Sequence, residues 1–428
     1  MNRFKVLTPL LLLAAILLLT VAPLSAQDQP ERITVAVVVN TSDFRTAGPL
    51  IEQWSAETGI QVDLIEENTT TYANSYVLAG VTGSPKIDVI MFWDFYMDQL
   101  SPFLTPLDGS YDPAIALSEE DIADFSDVAL TPYNGVLYAL PYSLDVRLLY
   151  YRTDLLEAAG YDRPPETWEE LVEYAQNLTV DIDGDGNIDQ WGFVTLGLPA
   201  QTASPYTFIE FLLQAGGQMF DENGATAFNS PEGIQALQFM VDLRNTYEVM
   251  PPDMITYDNN EVHEGFAAGR FAMTNHWPYL WGFILGTEVE DKVGYTVMPY
   301  PEGGQTMSTY NAWSFGVPMI SENKEAAFDL IRFLTGAEAG QFVFSQMLDW
   351  PMRESAYAAN EEVTERHSAF SDFVFSVADE SSVPTILPRA AETSQILAEE
   401  IDQAMIGAVS VEEALNRAEQ RFIDLLGQ

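Results

Sequence analysis

The chain has 428 residues, 47% of them apolar, enough for a sizeable core and for more than one domain. Its 64 acidic residues against 18 basic ones leave a formal charge of −46, which disfavours nucleic acid and anionic membrane as electrostatic partners. The absence of cysteine excludes disulfides, thiolate metal sites and cysteine nucleophiles.

Residues 1–26 read as a signal peptide. Arg3 and Lys5 supply a positive start, Val6 to Val21 is almost wholly apolar, and a cleavage point follows Ala26. Leu24 is large for its place near that point, so an uncleaved anchor is the alternative. The remainder is expected to be exported and soluble, on the periplasmic or extracellular face of the membrane. Ile33 to Val39 predicts a buried strand, rich in β-branched residues. Ala47 to Thr58 has helical spacing, with Leu50, Ile51 and Trp54 on one face. Ile60 to Ile65 and Lys86 to Phe92 predict two further strands. Alternating strands and helices indicate an α/β fold with mostly parallel sheets, and in open sheets of that kind ligands sit at the carboxyl ends of strands. Asn40-Thr41-Ser42 and Trp93-Asp94 occupy such ends. Later helices start at Thr167, with Glu170 completing a capping box, and at Ser230-Pro231. Glu322 to Leu334 and Val411 to Leu426 predict two more.

Chemistry-bearing motifs are sparse. His263, His276 and His367 have no metal-ligand or catalytic spacing, and no nucleophile elbow or phosphate loop occurs. Aromatic residues say more. Trp93-Asp94, Tyr138 with Pro141-Tyr142, Asn275-His276-Trp277 and Tyr310-Asn311-Ala312-Trp313 set rings beside polar groups. Core packing accounts for any one of them alone. Together they fit a cleft for sugars, whose C–H faces stack on rings and whose hydroxyls bond carboxylates and amides.

The order of several motifs resembles the extracellular solute-binding proteins of sugar ABC transporters, the maltose-binding-protein-like family 1. Gly135 to Leu156 is similar to the family's first crossing between lobes, with Pro164 to Leu171 following. Gly265 to Met273 resembles its F-x-x-G-x-x-A-M stretch. Trp313 to Ser321 and then Lys324 to Thr335 resemble the return, and Ser410 to Ala418 the last helix. The resemblance covers nearly all of the chain beyond the signal. It implies a two-lobed periplasmic-binding-protein fold with a hinge and an inter-lobe ligand cleft. The implied division is 27–140 for the first part of lobe 1 and 141–316 for the first part of lobe 2. Residues 317–355 would return to lobe 1, and 356–428 would form lobe 2 and C-terminal helices. The resemblance further implies that Asp145 bonds sugar hydroxyls and that Trp277 and Trp313 stack on the sugar. Trp93 and Asp94, then Tyr142, Asn40, Asn275 and Tyr310, join them as candidates. Arg353 and Arg389 are weaker candidates, with surface or inter-lobe ion pairs as the equal alternative. The family's lipid-anchored cysteine has no counterpart here.

Asp181, Asp183, Asp185, Gly186, Asn187 and Asp189 match positions 1, 3, 5, 6, 7 and 9 of a calcium loop. Gly192 stands where a bidentate glutamate belongs, and Phe193 to Leu196 reads as strand, so a calcium sensor is disfavoured. A structural Ca²⁺ clip and a metal-free Asp/Gly turn remain. The expected function is therefore a non-enzymatic, monomeric binder that delivers a sugar or oligosaccharide to a membrane permease. The alternatives are a binder of another polar solute, a secreted calcium-dependent carbohydrate-active enzyme, and an adhesive or sensory protein.

Overall fold

A computed structural model describes residues 30–39, 41–69, 71–126, 130, 132–197, 203–346, 349–357, 361–384 and 386–428. The expected signal segment and Asn40 lie outside the described residues. The strands are β1 Arg32–Val38, β2 Gln61–Glu67, β3 Val89–Trp93, β4 Ala139–Val146, β5 Leu148–Arg152, β6 Met273–His276, β7 Val293–Thr296, β8 Ser308–Gly316 and β9 Ser382–Pro384. They form two sheets, one for each lobe of a mixed α/β fold. The larger runs β2-β1-β3-β8-β4, with β9 beside β8, and the smaller runs β6-β5-β7.

β1 is parallel to β2 and β3, as strands separated by helical crossovers must be, whereas β8 lies antiparallel to β3 and β4. β1 is buried along most of its length, as its β-branched run requires. The helix after β1 spans Ser42–Thr58, five residues longer at its start than the apolar pattern predicts. Thr41 caps it: its Oγ1 accepts from the Phe44 N–H at 3.1 Å. The buried stripe opens on Asp43 and Thr46 before reaching Ala47, Leu50, Ile51 and Trp54. A purely apolar pattern misses that polar first turn, and it is the turn that faces the cleft. At Thr167 the hydroxyl accepts from the Glu170 N–H, but the box is not reciprocal. The Glu170 carboxylate instead accepts from the Glu166 N–H and pairs with Arg163.

β4 belongs to the larger sheet and β5 to the smaller, so the chain changes sheets at Arg147 rather than at 140/141. It returns between β7 and β8, ahead of 316/317. The Glu361–Ser381 helix packs across both halves. Its Phe370 meets Trp350, 5.1 Å between ring centroids, on one side and Trp281 and Tyr295, 4.7 Å each, on the other. The last two helices, Ala390–Met405 and Val411–Leu426, then settle on the Ala203–Gln214 and Pro231–Asn245 helices of the second half. No helix among the described residues is long and apolar enough to cross a membrane.

Candidate functional site

The site begins with a parity change in β4. Ala139 to Pro141 pair with Gly316 to Ser314, but Ser143 then pairs with Trp313, leaving Tyr142 as an extra residue. A one-residue bulge transfers every later side chain to the opposite face. Ser143 and Asp145 consequently share a face with Trp313 and Asn311 and, across β3, with Trp93. In the unbulged register Asp145 would pair with Tyr310 and face away from both tryptophans. Tyr310 itself lies on that other face and does not join the group.

The rings form a wall. Trp93 stacks on Trp313 at 6.4 Å and on Tyr206 at 4.8 Å, with interplanar angles of 17° and 23°. Trp277, from the second half, meets Trp93 edge-on at 5.8 Å and Tyr206 at 5.6 Å. The Tyr206 hydroxyl donates to Asn311 Oδ1 at 2.6 Å, and Asn311 Nδ2 donates to Asp94 Oδ1 at 2.7 Å. Rings of both halves thus close around one carboxylate–amide pair. Across the cleft mouth, the Arg45 guanidinium of the first helix lies 5.2 Å from the Phe283 ring centroid, and Phe283 stacks on His263 at 3.9 Å.

Acids line the rest. Asp145 is 8% exposed, and no described residue donates a hydrogen bond to its carboxylate. Burial, and then the negative charges of Asp349 and Asp94, hold its pKa well above the usual range. Asp43 accepts from Ser143 Oγ, two residues along β4 from Asp145. Burial raises Asp43 as well, with Asp349 and Asp145 adding repulsion. Asp349 accepts from Thr46 Oγ1 at 2.7 Å, and burial pushes it up to about 6. Asp94 keeps some contact with solvent, yet desolvation by the surrounding rings pushes it to about 7 against its bond from Asn311.

Beneath Trp277 lies a fully buried ion pair at the crossing between sheets. Arg147 Nε donates to Glu210 Oε2 at 3.1 Å, and Arg147 Nη2 reaches Thr195 and Thr207 at 3.2 Å each. The guanidinium sits 5.1 Å from the Trp277 ring centroid. Asn275 donates to the same Glu210 oxygen at 3.0 Å, so it serves this pair and not the ring wall. Burial still pushes Glu210 up to about 7, because Arg147 offsets only part of the desolvation.

Three other candidates lie apart. Tyr142, the bulged residue, donates to Thr46 Oγ1 at 2.8 Å and supports Asp349 indirectly. Arg353 is buried against Phe125 and spends its donors on Thr335 O, Asp121 O and Asp124. Arg389 pairs with Glu392 and donates to Leu425 O, where the chain turns into a helix with φ 48°. Both arginines are tied down by local ion pairs. The sequence reading missed Asp43, Arg147, Tyr206, Glu210 and Asp349. None has a spacing signature; Asp43 and Arg147 adjoin motifs that were legible, and Tyr206 and Glu210 sit one helical turn apart on Ala203–Gln214.

In the acidic loop, oxygens of Asp181, Asp183 and Asp189 lie within 4.8 Å of one another. Asp181 also accepts from the Gly184 and Gly186 N–H groups, and Asp189 from Ile182 N–H. Asp185 stands outside this trio and bonds Asn187. The segment after the loop adds single parallel bridges, Trp191 to Phe271 and Val194 to Thr274, in place of a full strand.

This architecture is shared widely. The protein is similar to a probable ABC transporter-binding protein of Deinococcus radiodurans, 30% identical over 76% of this chain and 77% of that one. It is 26% identical to a mannitol-binding protein of Pseudomonas aeruginosa over 75% of this chain and 72% of that one. Among solved structures, maltose-bound T. maritima MalE3 superposes with a TM-score of 0.81 at 27% identity, covering 92% of this chain and 99% of that chain. An ABC transporter solute-binding protein from Agrobacterium radiobacter K84, in complex with ribitol, gives 0.80 at 25%, covering 93% and 100%. The model of the bacterial extracellular solute-binding proteins matches residues 39–341, which include the crossing at Arg147 and every ring of the wall, and the chain belongs to that family.

Proposed function

We propose that the protein is the exported capture component of an ABC importer, holding a sugar, polyol or short oligosaccharide between its lobes and passing it to a membrane permease. The ring wall of Trp93, Trp277 and Trp313 beside Asp94 and Asp145 carries this reading: flat apolar faces and hydrogen-bond acceptors converge from both lobes. The maltose, mannitol and ribitol named for the similar proteins are all polyhydroxylated solutes, which supports the class. The chain works by binding and closure, with no step of bond breaking, and it acts as a monomer outside the cytoplasm. Calorimetric titration against a carbohydrate panel tests the reading. Micromolar or tighter binding of a sugar or polyol is expected. Binding of polyamines or metal ions alone would overturn the solute class, and product formation from glycans would favour a secreted enzyme.

The acidic loop is proposed as a structural Ca²⁺ clip, supported by the trio Asp181, Asp183 and Asp189 at ligand spacing. Bound there, calcium would offset carboxylate repulsion and fasten the turn between the Trp168–Asn177 helix and the segment beside β6.

A further inference from the structure

Four carboxyl groups crowd the cleft, and burial there favours their protonated forms, so a cation rather than a neutral sugar is what would let them ionise together. Asp145 lies on the tryptophan face, more than nine-tenths buried, and accepts from no described residue. Asp43 and Asp349 are held on their far sides by Ser143 and Thr46, and Asp94 by Asn311. The arginines that could neutralise Asp145 are committed elsewhere. Arg147 is bound to Glu210, Arg353 to Asp124 and Arg389 to Glu392, while Arg45 lies over Phe283 and its charge acts on Asp349 rather than on Asp145 or Asp43.

Resting on the sugar-capture reading, we propose that the solute carries a protonated amine, seated among Asp145, Asp43 and Asp349 beside the ring wall, and is therefore an amino sugar. Hydroxyls can donate to one carboxylate, but they bring no charge that would let the others ionise. An ammonium supplies three donors and the missing charge together. Aromatic faces such as those of Trp93, Trp277 and Trp313 attract a cation through their quadrupoles, while their C–H contacts still suit a sugar ring. The charge of −46 steers cationic solutes to the protein and repels anionic ones.

The test is a comparison on the unaltered protein. Calorimetry would follow glucosamine oligomers, their N-acetylated forms and matching glucose oligomers at pH 7. The amine forms should bind at least tenfold more tightly than either neutral set, and Asp145→Asn should remove that preference. Should Asp145→Asn fail to fold by circular dichroism, Asp349→Asn takes its place, and the wild-type comparison decides regardless. Equal or tighter binding of the neutral oligomers overturns the amine proposal and leaves sugar capture standing. Binding of maltose, mannitol or ribitol with none of the glucosamine forms does the same. Failure of every carbohydrate overturns both.

Discussion

Arg147 is the residue on which chain path and site converge. It lies between β4 and β5, carries a fully buried charge, and braces Trp277 from below. Removing the guanidinium by Arg147→Met would leave Glu210 buried without its partner, protonated at neutral pH, and should destabilise the fold by about 3–5 kcal/mol. Calorimetric melting should show that loss, and Glu210→Gln in the same chain should recover part of it. No recovery would mean that the pair does not act as a unit. Trp277→Ala removes a ring that meets both Trp93 and Tyr206. It should weaken solute binding at least tenfold with a smaller effect on the melting temperature, and an unchanged affinity would remove Trp277 from the site. At this scale the sequence revealed the tryptophans, because rings beside polar groups stand out in one dimension. It concealed Glu210 and Asp349, since a buried charge is identified by its partners and those are remote in the chain.

At the level of elements, the strand at 33–39, the Val411–Leu426 helix and the cap at Ser230 were legible, because periodicity and capping are local properties. The Ser42–Thr58 helix was only partly so, since its first turn buries Asp43 and Thr46 instead of apolar side chains. The β4 bulge was invisible: nothing in Pro141-Tyr142-Ser143 announces an extra residue, yet it sets which way Asp145 points. Deleting Leu144, which follows the bulge, should shift Asp145 opposite Ala312, turn it to the other face and abolish solute binding. Retained affinity in a folded deletion variant would refute the parity argument. The acidic loop allows an equally direct check. Calcium should raise the melting temperature, and Asp183→Ala should remove that rise; identical curves in calcium and chelator would leave a metal-free turn.

For the whole molecule, the raised carboxylates fix a pH dependence. Asp94 and Glu210 are pushed to about 7 and Asp349 to about 6, above the ordinary value near 4. Through these three groups the folded protein binds more protons than the unfolded chain between about pH 4 and 7, while burial of His263, held down at about 4, and of His276 acts in the opposite direction. The stability these groups contribute is complete below the unfolded values and is lost as pH rises through 7. The melting temperature without solute should be higher at pH 5 than at pH 8, and the opposite slope would show that burial of these acids does not govern the pH dependence. Two lobes and a hinge were legible from motif order, whereas the sheet to which each strand belongs was not. Sheet membership depends on pairing between strands more than a hundred residues apart, as in β4 with β8.

Asp145 and the residue at which the chain changes sheets are separated by Val146 alone. In the proposed reading, grip and pivot share one short lever. A solute held by Asp145 would pull on the backbone where the chain changes sheets, with no relay through intervening helices. Substitutions that retune which solute is held will then also retune how completely the lobes shut. A permease that distinguishes shut from open would then register a change of cargo as a change of shape.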